Sequence, residues 1–259
     1  MKSTMGKARS EARLAAFALL AAMAVMGAHS APLRTAAQEN APKYQIGLDG
    51  KMTGICVEIM EAISVIDPGL VFSGQESFIP LRRIEQDLAS GGIDVFFGFA
   101  KTKEKEALYR YIDLPLYSVK KVLAARKTDA VSIGSFEDVK KLADGIVLAA
   151  AGTASAEQAK SLGVKVDDGA ATPEANLAKL VHGRGRFYFH TDIAISEAAK
   201  RAGLADGIKI LPFVYSEEGQ YLAVSKSLPE PIFSRLEKAL HAIAANGALA
   251  RIFSKYVGH

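Results

Sequence analysis

The chain has 259 residues, 49% of them hydrophobic, enough for one large domain or two small lobes with a sizeable core. Its formal charge of +4 belongs mostly to residues 1–30, which hold Lys2, Lys7, Arg9 and Arg13 against Glu11; the remainder carries only +1. That near-neutral balance excludes nucleic acid or an anionic membrane surface as the partner the charge would select.

The N-terminal cations precede an apolar run, Leu14–Gly27, of about fourteen residues, short of the roughly 20 needed to span a bilayer. Ala28-His29-Ser30 follows with small residues at the spacing of a cleavage site before Ala31. Residues 1–30 are therefore expected to be a cleaved signal peptide, and the mature chain a free soluble protein of a bacterial periplasm. The single cysteine, Cys56, makes no internal disulfide and stands too far on to be a lipid anchor. It is read as a small core residue.

From Leu33 the elements alternate. "LRTAAQ" predicts a strand, "GICVEIMEAISVI" a helix with Ile55, Ile59 and Ile63 on one face, and "LVFSG" a second strand. "IPLRRIEQDLASGG" predicts a helix stopped by Gly91-Gly92, and "IDVFFGF" a third, fully buried strand. This βαβαβ order predicts a parallel sheet flanked by helices. "YSVKKVLAARK" is extended. A second series then begins: a helix from Ser135, a strand in "GIVLAAAGTAS", and a helix in "SAEQAKSLG". A helix opened by Thr172-Pro173 follows, then the strand "RFYFH" and the helix "DIAISEAAKRAG". "IKILPFV" predicts a strand, "QYLAVSKS" another extended piece, and two helices close the chain. The extended pieces 118–127 and 220–227 bracket the second series. If both cross between lobes, they form a hinge beside a cleft.

The motif order resembles the family 3 extracellular solute-binding proteins, the type II periplasmic receptors of amino-acid-type ABC transporters. "DGKMTGICVEIMEAI" is similar to the family's "GKLTGFDVDLAKAI", and "LASGGIDVFFG" to "LQSGKVDVIIAG". "KTKEKEALYRYIDLPLY" is similar to "ITPERKKQVDFSDPYY", and "VLAAAGTAS" to "VAVQAGTTA". "VHGRGRFYFHTD" is similar to "LNGRVDAVVLD", and "ALARIFSKYV" to the closing "TYDKIYEKWF". The resemblance covers about 33–257. It implies an α/β fold of two lobes joined by two hinge strands, with lobe 1 at 31–117 and 222–259 and lobe 2 at 118–221.

The resemblance also implies a site. Lys105 stands at the position of the family's carboxylate-binding arginine, and Gly98 and Ala100 stand where small hydroxyl residues are frequent. Thr191, flanked by His190 and Asp192, stands at the aspartate that holds an ammonium group. Tyr44, with Asn40, stands where the family places an aromatic over the ligand. Both anchors of an α-amino acid are thus changed. Lysine is a mobile point charge where arginine is a rigid fork, which opens the ligand class. Gly152, Thr153, Ala154 and Ser155 open a helix after a strand, where free amides favour an anion. Lys101 and Arg82 are further candidate contacts, and Phe97 and Phe99 candidate walls.

These features predict a periplasmic receptor that captures a small polar solute, an amino acid or related organic acid, and delivers it to a membrane permease. The chain carries no nucleophile elbow, phosphate loop or HExxH, so no enzyme is expected, and no cofactor. His182, His190, His241 and His259 lack metal-ligand spacing, so no metal is expected either. A monomer is expected. Two alternatives stay open: a receptor for a sensor or enzyme system, and a dehydratase similar to cyclohexadienyl dehydratase with Glu39 or Asp192 as acid.

Overall fold

The computed structural model describes residues 31–257; the expected signal peptide lies outside the described residues. Strand β1 (Leu33–Arg34) runs parallel to β4 (Phe72–Ser73), with Leu33 opposite Phe72. Between them come a hairpin, β2 (Gln45–Ile46) and β3 (Met52–Thr53), and helix α1 (Ile55–Ile66). The apolar stripe of α1 buries Ile55, Cys56, Ile59, Met60 and Ile63, as its spacing requires. Helix α2 (Leu81–Ser90) buries Ile84 and Leu88 and ends at Gly91, whose left-handed backbone closes the last turn. Strand β5 (Val95–Ala100) follows, buried from Val95 to Phe99. The amide of Asp94 donates to the Arg34 carbonyl at 2.8 Å, which sets β5 beside β1.

Beyond β5 lie a single-turn helix, α3 (Lys103–Glu106), and a short strand, β6 (Arg110–Tyr111). Strand β7 (Tyr117–Arg126) leads into α4 (Phe136–Lys140), β8 (Ile146–Ala150), α5 (Ala154–Ser161), β9 (Lys165–Ala170) and α6 (Pro173–Val181). Then come β10 (Phe187–Thr191), α7 (Asp192–Arg201), β11 (Ile208–Val224), α8 (Glu230–Ala245) and α9 (Ala248–Ser254). The main sheet has the order β5-β11-β7-β10-β8-β9, with β6 also on β11. Strand β8 is parallel to both β9 and β10, whereas β11 is antiparallel to β7 and β5. The first extended piece pairs with the strand ahead of the second, Ser118 opposite Gly219, whereas the second pairs mainly with β5, Tyr221 opposite Phe99.

Three apolar clusters fill the interior. One draws on residues between Leu33 and Val119 and between Leu222 and Ile252, with Ile193 added. The other two lie on either side of the second strand series and draw only on residues between Val122 and Leu211. Among the described residues no helix is long and apolar enough to cross a membrane.

The structure departs from the sequence reading in six places. The β2–β3 hairpin, α3, β6 and β9 were not anticipated: the first three are too short to show a period, and "KVDDGA" has the acids and glycine of a loop. Two predicted pieces are one strand, β11, interrupted by register shifts between Ile210 and Val214 and again before Ser216. Pro212, in the first gap, has no amide to give a ladder. The first strand pairs only at Leu33–Arg34, with an isolated bridge from Ala37 to Phe78 beyond it.

The predicted caps form. Thr172 accepts from the Ala175 amide at 3.2 Å ahead of Pro173, and Ser135 accepts from Asp138 at 3.3 Å. Thr172→Ala is expected to lower stability by about 1 kcal/mol. Urea denaturation of both proteins would read this as a lower midpoint at unchanged slope.

Candidate ligand-binding site

Parallel α/β strands present their carboxyl ends as a binding edge. Here the end of β5 carries Gly98, Phe99 and Ala100, and the adjacent ends of β8 and β10 carry Gly152–Ser155 and His190–Asp192. The structure therefore brings the predicted residues together as two edge groups. The paired strands β7 and β11 run between them, Lys121 lying opposite Thr191 and Gln220 opposite both Ala100 and Tyr117.

Gly98 organises the first group. Its φ is +74°, and the β5–β11 register shifts around it, so that Phe97 and Phe99 pair while Gly98 bulges. A Cβ at Gly98 would lie 2.7 Å from Tyr117 Oη, 2.8 Å from Lys43 Cε and 2.9 Å from Cys56 Sγ. The bulge thus makes room for three side chains from three other segments. Phe97 and Phe99 turn into the core, edge-on to Phe72 at 5.3 Å and to Phe96 at 5.3 Å. Tyr44 is also fully buried; its hydroxyl donates to the Phe97 carbonyl at 3.2 Å and its ring stacks on Phe96. All three rings are buried and in contact with other rings. Asn40 is exposed, and its carbonyl accepts from the Tyr44 amide.

The predicted cations divide. Lys105 Nζ lies 3.6 Å above the Phe99 ring and 3.3 Å from Glu85 Oε1. Lys101 bridges Asp113 at 3.0 Å and Glu106 at 3.3 Å. Arg82 is exposed on α2. Sequence reasoning missed Lys43. It is 7% exposed and held over Phe96, its Nζ 4.7 Å from the ring centroid. Burial lowers its pKa to about 8; Cys56 pulls the other way, and the neighbouring Lys105 charge adds a smaller push downward. Burial likewise pushes the Cys56 thiol up to about 11. No spacing in the sequence marks Lys43; only the bulge at Gly98 gives its stem a place to lie.

On the second edge, Gly152 has φ +70° and open space where a Cβ would be. Thr153 caps α5, donating to the Ala150 carbonyl at 2.8 Å and accepting from the Ala156 amide at 3.3 Å. Ala154 is exposed and Ser155 buried. Lys121 Nζ donates to Gln158 Oε1 at 2.7 Å. Asp192 Oδ1 accepts from the Ile193 amide at 2.8 Å and the Lys120 amide at 3.1 Å, tying α7 to β7. His190 Nδ1 accepts from the Thr191 amide at 2.7 Å. Burial, helped by Lys121, lowers the His190 pKa to about 4.

A depressed histidine pKa means that the unfolded chain binds the proton first. His190 therefore contributes stability that is present above about pH 6.5 and lost as pH falls toward 4. His190→Asn is expected to flatten the fall in melting temperature across that window.

Among the described residues no group of three or more His, Cys, Asp and Glu is placed to hold a metal. A separate groove of about 830 Å³, lined by residues such as Lys127, Glu197, Lys200 and Tyr256, includes none of the predicted site residues. We place the site at the strand ends because polar groups from several segments converge there.

The order of elements, the strand-end site and the two linking strands define a two-lobed α/β solute-binding fold. The model of the bacterial extracellular solute-binding proteins, family 3, matches residues 33–259, and the chain belongs to that family. The chain is similar to the crystal structure of a probable amino-acid ABC transporter extracellular-binding protein from Bacillus subtilis. The TM-score is 0.72 at 17% identity, covering 88% of this chain and 97% of that one. It is also similar to the L-cystine solute receptor of Neisseria gonorrhoeae in its unliganded open conformation, with TM-score 0.69, 19% identity and coverage of 88% and 92%. An ancestral arginine-binding protein bound to glutamine matches with TM-score 0.63, 25% identity and coverage of 89% and 99%. No curated protein matches the sequence.

Proposed function

We propose that this chain is a periplasmic receptor, exported by its N-terminal segment. It captures a small polar solute, an amino acid or related organic acid, and hands it to the permease of an ABC transporter. The solute sits between lobe 1, residues 31–117 and 222–259, and lobe 2, residues 118–221. The strand-end groups of β5 on one side and of β8 and β10 on the other close on it, hinged on β7 and β11. Gly98, Ala100, Lys101 and Lys105 contribute from the first lobe, and Gly152–Ser155 and His190–Asp192 from the second. Tyr44, Phe97 and Phe99 support the site from beneath, and Asn40 and Arg82 stand outside it until closure.

What supports this reading is that the ends of β5 and of β10 carry polar groups and are linked in one sheet through the paired strands β7 and β11, in a member of a solute-binding family. Binding without turnover fits the state of Asp192. One oxygen of its carboxylate, Oδ1, accepts from two backbone amides, which favours the charged form over a proton-donating acid.

A thermal-shift screen of the mature, ligand-stripped protein tests it. A true solute at 100 times its Kd adds about 2.7 kcal/mol of stability, seen as a raised melting point. If no amino acid, organic acid, amine or sugar raises it, the receptor reading is wrong.

A further inference from the structure

Resting on that reading, the charges around the Gly98 bulge narrow the ligand. Lys43 is buried, and among the described residues its ammonium makes no hydrogen bond or ion pair; the faces of Phe96 and Tyr44 lie 4.7 and 5.9 Å from it.

The acids of this region are engaged elsewhere. Glu85 lies against Lys105, Glu106 and Asp113 hold Lys101, and Asp192 holds amides. The groups that do face Lys43 are the neutral Cys56 and Tyr44 and a second cation, Lys105. Tyr117 completes the cluster over Gly98. A buried ammonium without a counter-charge is costly, and the protein supplies none. The Lys43 stem passes beside Gly98 in the C-terminal half of β5, its Cε 2.8 Å from where a Gly98 Cβ would lie, close to the strand ends at which α/β proteins take up ligands.

We propose that Lys43 is the anchor for a carboxylate of the solute, and that the ligands are organic acids rather than amines or sugars. Lys105 adds a second positive centre beside the same group.

Titration calorimetry of the mature protein tests this with acetate, pyruvate, succinate, glutamate, inorganic phosphate, putrescine and glucose as probes. Lys43→Met keeps the volume and removes the charge; Lys238→Met, on the exposed face of α8, is the control. The expected result is that one or more carboxylates bind the native protein and Lys238→Met alike. Lys43→Met binds them about tenfold to a hundredfold more weakly, the loss of a charge-assisted hydrogen bond. A second reading needs no variant. At about pH 9 the binding of an acid draws a proton onto Lys43, seen as a heat that depends on the buffer's ionisation enthalpy.

Binding of phosphate alone would overturn the carboxylate assignment. Equal affinity for the acid in Lys43→Met, absence of proton uptake, or binding of only putrescine or glucose would overturn the role of Lys43 and leave the receptor standing. Binding of no probe would overturn both.

Discussion

Gly98→Val is expected to destabilise the protein by about 3–5 kcal/mol, enough to leave much of it unfolded at growth temperature. Two penalties add. A β-branched residue at φ +74° is strained wherever it stands. Its Cβ would also meet Tyr117, Lys43 and Cys56 side-chain atoms at 2.7–2.9 Å, closer than real Cβ contacts come. Two of these neighbours come from packed segments, since Cys56 is buried on α1 and Tyr117 stacks on Phe253 at 5.5 Å. Gly98→Ala should cost less but still clearly more than 1 kcal/mol. Equilibrium urea denaturation reads both, and a midpoint within error of the native one would show that the bulge can relax.

The second large effect is on pH. Anion binding should weaken about tenfold for each pH unit above the Lys43 pKa of about 8, so that a carboxylate held at pH 7 is bound some hundredfold more weakly at pH 10. The sign follows from the charge: the anion needs the ammonium, and the free protein gives it up as pH rises. The other members of the buried cluster do not titrate earlier, since burial pushes Cys56 to about 11 and raises Tyr44 and Tyr117 well above the usual phenol range. Stability runs the other way. The unfolded chain keeps the Lys43 proton up to about 10.5, so folding is favoured as pH climbs from 8 toward that value. Lys43→Met should accordingly be more stable than the native protein at pH 7, on the order of 2 kcal/mol, while losing the pH dependence of binding. Melting curves and titrations at pH 7 and 10 on both proteins check the pair of statements.

The parts of the fold that were legible are those with a period or a punctuation mark. Ile55, Ile59 and Ile63 fixed α1, Gly91 closed α2, and Ser135 and Thr172 opened their helices. Strands whose burial is continuous, such as Val95–Phe99, were also plain. What was hidden depends on contacts far apart in the chain. The β11 strand is held by pairing to β7 across its irregular middle, where Pro212 reads as a break. The site was legible as two strand ends but not in its details. Tyr44 and Phe97 carry the composition of ligand walls, yet their hydroxyl-to-carbonyl bond belongs to the core. Asp192 reads as a partner for a cation, and nothing in the sequence shows that its Oδ1 also ties α7 to Lys120 of β7. Lys43 gives no local signal, because its environment is assembled from Cys56, Gly98 and Tyr117.

The central claim is that this chain binds one small solute and does not consume it. The most direct measurement is titration calorimetry of the mature protein with the acid that stabilises it most, followed by chromatographic analysis of the recovered acid. The account predicts a saturable heat at one solute per chain and full recovery of the solute unchanged. No saturable heat with any acid, or steady conversion of the acid to a product, would contradict it.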